Sequence, residues 1–152
     1  MSDYRLTRRR ETPPPEKTYE LQDVAEIPKT QNILMLEDDV AVALMLKEAL
    51  ESHGYSVTVV SNGAEGLKKI LAADFEIILC DMVMPNFPGD MFYLAVERAR
   101  PNLCHRFIFM TGHQGDRKVE QFIRRIRGLV LWKPFEMHLL FDAIKVVNSK
   151  KK

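Results

Sequence analysis

From residue 31 onward the chain alternates short apolar runs with longer amphipathic segments, five times over, and this restricts it to parallel strands joined by crossover helices. The runs are 33–36, 55–60, 77–80, 107–110 and 129–132, each short and largely apolar, as a strand covered on both faces should be. The first helix is expected over 39–53, with Asp39 as its N-cap and Gly54 as the left-handed residue that ends it. Asn62 is placed to cap the second. The third spans 89–100 and stops before Pro101, the fourth spans 116–127 ahead of Gly128, and the fifth spans 135–148. The pattern therefore predicts a (βα)₅ architecture, a doubly wound five-stranded parallel sheet of the α/β class.

At 152 residues the chain has room for one compact domain, assigned here to residues 31–148. Residues 1–30 hold Arg8-Arg9-Arg10 and Pro13-Pro14-Pro15 without a sustained apolar period, and read as a tail or linker. Within them Leu21, Val24 and Ile27 are spaced for one short helical turn against the domain. Residues 149–152 are a basic C-terminal tail. No apolar run approaches the roughly 20 residues of a membrane-spanning helix, and no secretory signal is evident. Two cysteines, Cys80 and Cys104, fit a reducing cytoplasm. A formal net charge of +1, with six acids against six bases in residues 1–30, gives no global attraction to nucleic acid.

Ligands of an open α/β sheet bind beyond the carboxyl ends of its strands, so the residues at those ends carry the chemistry. They are Glu37-Asp38-Asp39 after the first strand, Asp81 after the third, Thr111 after the fourth and Lys133 after the fifth. Carboxylates converging from two strand ends make an oxygen-rich site suited to Mg²⁺. Asp81 can then attack a phosphoryl centre and become an aspartyl-phosphate. The Lys133 ammonium and the Thr111 hydroxyl can each meet a phosphoryl oxygen, and the N–H groups of Met82 and Val83 are candidates for further donors. Taken singly, each residue also has an ordinary role as cap, turn residue or surface charge, and Asp39 is such a cap. Cys80 reads as buried packing, and His53, His105, His113 and His138 lack metal-ligand spacing.

The ordered set Ile33-Leu34-Met35-Leu36-Glu37-Asp38-Asp39, Cys80-Asp81-Met82-Val83-Met84-Pro85, Met110-Thr111-Gly112 and Lys133-Pro134-Phe135 resembles the response-regulator receiver family over residues 31–148. That resemblance implies the CheY-like, flavodoxin-like fold and a phosphorelay function. Asp81 would be the phospho-acceptor, and Glu37, Asp38, Asp81 and the Val83 carbonyl would hold Mg²⁺. Thr111 and Lys133 would contact the phosphate, and Lys133-Pro134 would be a cis peptide. A histidine kinase or histidine phosphotransfer protein would be the donor, and a downstream protein would respond to the phosphorylated state. A homodimer is compatible with the family, whereas direct nucleic-acid binding and membrane insertion are not expected. The protein would be a signalling domain that catalyses only its own phosphorylation and dephosphorylation, as a stand-alone regulator or as part of a hybrid kinase.

Two departures from the family pattern stand out. Val130 occupies the place, three residues before the lysine, where receivers carry a switching Tyr or Phe; Phe87-Pro88 precede Gly89 where an acid is common. Val130 sustains one alternative, a phosphorylation-independent pseudo-receiver that acts as a docking module. An aspartate-nucleophile phosphatase is disfavoured because Val83 stands where a second Asp belongs, and no G-x-G-x-x-G supports a dinucleotide enzyme. The first helix, Val40-Ala41-Val42-Ala43-Leu44-Met45-Leu46, is apolar beyond one face; a wide buried surface accounts for this, and family behaviour also makes the helix part of a kinase docking surface.

Overall fold

The computed structural model describes residues 30–112 and 115–150. The expected tail, its arginine cluster and the turn at Leu21, Val24 and Ile27 lie outside those residues, as do His113 and residues 151–152. Five strands, β1 (Asn32–Leu36), β2 (Ser56–Val60), β3 (Ile77–Asp81), β4 (Phe107–Thr111) and β5 (Leu129–Trp132), pair in parallel in the order β2-β1-β3-β4-β5. Between and after them come α1 (Val40–Ser52), α2 (Gly63–Ala72), α3 (Gly89–Ala99), α4 (Arg117–Arg125) and α5 (Met137–Ser149). This is the doubly wound (βα)₅ sheet that the apolar alternation predicted, with its switch point between β1 and β3.

Strand alternation divides the apolar side chains between two cores. Leu34, Leu36, Ile78, Cys80, Phe107 and Phe109 face Ile70 of α2, Phe92 and Val96 of α3 and Val119 of α4. Ile33, Met35, Ile77, Leu79, Ile108 and Met110 face Leu46 and Leu50 of α1 and Leu140 and Ile144 of α5. Each large side chain buried in this way stabilises the fold by roughly 1.5–3 kcal/mol. Asp39, Asn62 and Asp116 cap α1, α2 and α4 by accepting backbone N–H bonds from the first turn.

Several boundaries and coverings differ from the sequence reading. Strands β3 and β4 each run one residue further, so Asp81 and Thr111 are the last rungs of their strands and share the rigidity of the sheet. A 3₁₀ helix, Pro101–Arg106, fills the connection to β4, with Pro101 supplying the fixed φ that suits a first helical position. β5 is only half-buried along its length because it pairs with β4 alone and forms the sheet's edge. The wide buried face expected of α1 is also corrected. Ala43, Leu46 and Leu50 are buried, but Val40, Leu44 and Met45 are 72%, 55% and 59% exposed.

Candidate functional site

β1, β3 and β5 deliver their last residues to one end of the sheet, where the parallel register holds them side by side. Asp81 aligns with Met110, and Thr111 aligns with Trp132, one residue before Lys133. The Glu37 N–H donates to the Val60 carbonyl at 3.1 Å, and the Lys133 N–H donates to the Thr111 carbonyl at 2.8 Å. Both backbones therefore continue their ladders into the site. The Lys133-Pro134 bond that follows is cis, as the family pattern implied.

Lys133 Nζ lies 3.1 Å from Asp81 Oδ2 and 3.2 Å from Glu37 Oε1, bridging two carboxylates that would otherwise repel one another. Asp38, which is exposed, completes a trio with Glu37 and Asp81 whose ligand oxygens lie within 4.8 Å of one another. Glu37 is buried, and its Oε2 has no hydrogen-bond partner among the described residues. An unpaired carboxyl oxygen in such a place is costly unless a proton or a cation meets it. Burial first, then the proximity of the Asp81 carboxylate, push the Glu37 carboxyl up to about 8, while Lys133 pulls it down. Burial would depress Lys133, but the charge and hydrogen bond of Asp81, followed by those of Glu37, prevail and leave its pKa raised. The donor set is all oxygen, so these residues fit a hard divalent cation.

The backbone donors are fewer than expected. The Met82 N–H is taken by the Met110 carbonyl at 3.0 Å, leaving of the two only the Val83 N–H directed at the Asp81 carboxyl, 3.0 Å from Oδ1. Val83 itself is 48% exposed beside Asp81, and Thr111 is fully buried at the end of β4. The structure thus brings Glu37, Asp38, Asp81 and Lys133 together, with Val83 held by its N–H and Thr111 by its carbonyl.

Two glycines in the site's support were not legible as such. Gly89, read as a helix start, packs so closely on β3 that a Cβ there would collide with the Asp81 carbonyl and lie 2.9 Å from Met82 Cα. Its N–H also donates to the Met82 carbonyl at 3.0 Å. Gly63, at the start of α2, has no room for a Cβ because the Phe87 ring lies against it. Phe87 and Pro88 therefore have structural roles: one ring closes the loop onto α2, and Pro88 is the N-cap residue of α3. Asn86, immediately before them, accepts a left-handed φ of 69°. Val130 packs on a cluster whose aromatic rings come from elsewhere, namely Phe92, Tyr93, Phe107, Phe109 and Phe122.

The model of the response regulator receiver domain matches residues 33–145. The chain belongs to this family. Receiver domains bind Mg²⁺ at an acidic cluster, and Glu37, Asp38 and Asp81 form such a cluster here. The response regulator receiver protein CpdR of Brucella abortus is 30% identical over 115 residues, 76% of this chain and 94% of CpdR. The sensor kinase CckA of the same organism is 26% identical over 136 residues, 88% of this chain, which spans only 14% of the kinase. Among solved structures, the signal receiver domain of a signal transduction histidine kinase from Syntrophus aciditrophicus superposes with a TM-score of 0.72 at 26% identity. That match covers 81% of this receiver domain and 93% of the other. Similar receivers thus occur both nearly alone and inside larger kinases, and among the described residues no helix is long and apolar enough to cross a membrane.

Proposed function

We propose that this receiver domain accepts a phosphoryl group on Asp81 from a phosphohistidine of a histidine kinase or phosphotransfer protein in the cytoplasm, and thereby changes its affinity for a downstream protein. The observation that carries the reading is the Lys133 ammonium bridging Asp81 and Glu37 beside Asp38. Glu37, Asp38 and Asp81, with the Val83 carbonyl, would hold Mg²⁺; when bound, it neutralises charge at the acceptor and on the phosphoryl oxygens.

An Asp81 carboxylate oxygen attacks phosphorus, the donor's P–N bond breaks, and its electron pair returns to the imidazole nitrogen. No base is needed, because a carboxylate nucleophile has no proton to lose on attack. Lys133, released from part of its carboxylate pairing, can follow the new negative charge, and the Val83 N–H remains beside it. Thr111 ends the neighbouring strand, and its hydroxyl is assigned to a phosphoryl oxygen.

The donor's docking face is assigned to α1 and the β5–α5 loop. There the exposed Met45 lines a cleft of about 460 Å³ with Val42, Pro134, Phe135 and Met137, and the exposed Val40 and Leu44 line a second groove on the same helix beside Glu37 and Asp38. An apolar surface of this kind favours a partner helix. The test is transfer of radiolabelled phosphate from a phosphorylated histidine phosphotransfer domain. Label should move to the wild-type chain, fail to move to Asp81→Asn, and move slowly to Leu44→Glu/Met45→Glu. Equal labelling of Asp81→Asn would refute the acceptor assignment.

A further inference from the structure

The solvent face of α4 and its exit carries Arg117, Lys118, Arg124, Arg125 and Arg127, all exposed, against Glu120 alone among the residues 117–127. Among the described residues none of these five cations forms an ion pair, although Asp116 lies at the helix start and Glu97 of the adjacent α3 is exposed. Phe122, Ile123 and Ile126 alternate with them along the chain and pack on the core, half-buried, so that part of each stays accessible. Like charges this close, within the ~10 Å screening length of ordinary buffer, raise one another's energy until an anionic surface covers them.

The chain itself contains a matching anionic stretch. Residues 16–27, outside the described residues, hold Glu16, Glu20, Asp23 and Glu26 against Lys17 alone. The last three acids recur every third residue, and Leu21, Val24 and Ile27 recur at the same interval beside them. Acids would meet the arginines, and apolar side chains would meet Phe122, Ile123 and Ile126. We propose that residues 16–27 of this chain dock on the cationic face of α4.

The topology makes this reachable. Gly128, just past Arg127, packs against Phe107 at the start of β4, so the arginine-rich end of α4 lies at the sheet edge from which β1 also begins. From β1 to the β4–β5 side is at most three strand spacings of about 4.8 Å, and the helix layer stands about 10 Å off the sheet, roughly 17 Å in all. About six extended residues cover that distance, and Asp23 is seven residues before Thr30. Tethering gives the segment an effective concentration of order millimolar, which suits weak ion pairs. Nucleic acid fits less well, since α4 is only about 13 Å long and a chain of net charge +1 offers few other phosphate contacts.

The experiment uses the full chain and follows backbone amide NMR resonances. Reversing the tail with Glu20→Lys, Asp23→Lys and Glu26→Lys should shift the amides of residues 117–127 and leave those of β1 and β3 in place. Raising salt to about 1 M, where screening acts within about 3 Å, should move the wild-type α4 amides the same way. Combining the tail reversal with Arg117→Glu, Arg124→Glu and Arg125→Glu should restore the salt sensitivity that either reversal alone abolishes. Unchanged α4 amides in the reversed tail would overturn the proposal. So would shifts confined to α1 or α5, or shifts that grow with protein concentration.

Discussion

Gly89 sets how closely α3 can approach β3, the strand that carries Asp81, and replacing it by alanine separates packing at the site from general helix stability. The added Cβ would meet the Asp81 carbonyl and come within 2.9 Å of Met82 Cα and 3.1 Å of Cys80 Sγ. Two of these neighbours are backbone and cannot rotate away. Overpacking of this kind costs about 1–3 kcal/mol, and the gain from replacing glycine in a helix, about 0.5–1 kcal/mol, offsets only part of it. A net loss of about 1–2 kcal/mol should lower the melting temperature by roughly 4–10 °C in a domain of this size. Because the displaced atoms include the Asp81 carbonyl, phosphorylation by acetyl phosphate should also slow. The control is Gly54→Ala, where φ is 90° and nothing lies within 4 Å of the new Cβ. That variant should lose about 1–2 kcal/mol through backbone strain alone and keep its phosphorylation rate. Circular dichroism melts and timed phosphorylation of the three proteins measure both effects. A Gly89→Ala protein with an unchanged melting temperature and rate would refute the packing argument.

Further outcomes follow from the same geometry. Lys133→Met removes the cation between Asp81 and Glu37, so phosphorylation should fall at least tenfold, about 1.4 kcal/mol in barrier, while Mg²⁺ binding by calorimetry is retained or tightened. The Glu37 carboxyl sits near 8 against an ordinary 4.5, so the Mg²⁺-free fold holds a proton that the unfolded chain has released. Its stabilising contribution is complete below 4.5 and is lost as pH rises through about 8. Mg²⁺ must displace that proton, so calorimetric affinity should rise toward pH 8 by up to about tenfold per unit, and a flat profile would contradict the assignment. Burial, and then the charges of Asp81, Glu37 and Asp90, hold the Cys80 thiol well above its usual range; burial also raises Cys104. Neither thiol should be alkylated in the native protein at pH 8 while both react in denaturant, a contrast that mass spectrometry would read directly.

The sheet was legible because burial on both faces leaves a continuous apolar run that few other elements produce, as 77–80 and 107–110 illustrate. Glu37, Asp38, Asp81 and Lys133 were legible because a parallel sheet gathers strand ends at one edge, so order along the chain translates into proximity. Spacing could not assign the Met82 N–H, since whether it faces the site or the Met110 carbonyl depends on β3–β4 register. The roles of Gly89 and Gly63 were equally hidden. Neither needs a positive φ, and only the tertiary approach of β3 or of Phe87 excludes a side chain there. The exposure of Val40, Leu44 and Met45 escaped the sequence for a related reason, because apolar character does not reveal which face the sheet will cover.

The measurement that tests the central claim most directly is the intact mass of the full chain after incubation with acetyl phosphate and Mg²⁺, beside Asp81→Asn and a chelated sample. One phosphoryl group should appear on the wild-type protein and on neither control. A native, Mg²⁺-loaded protein that gains no mass, or an Asp81→Asn variant that gains the same mass, would contradict it.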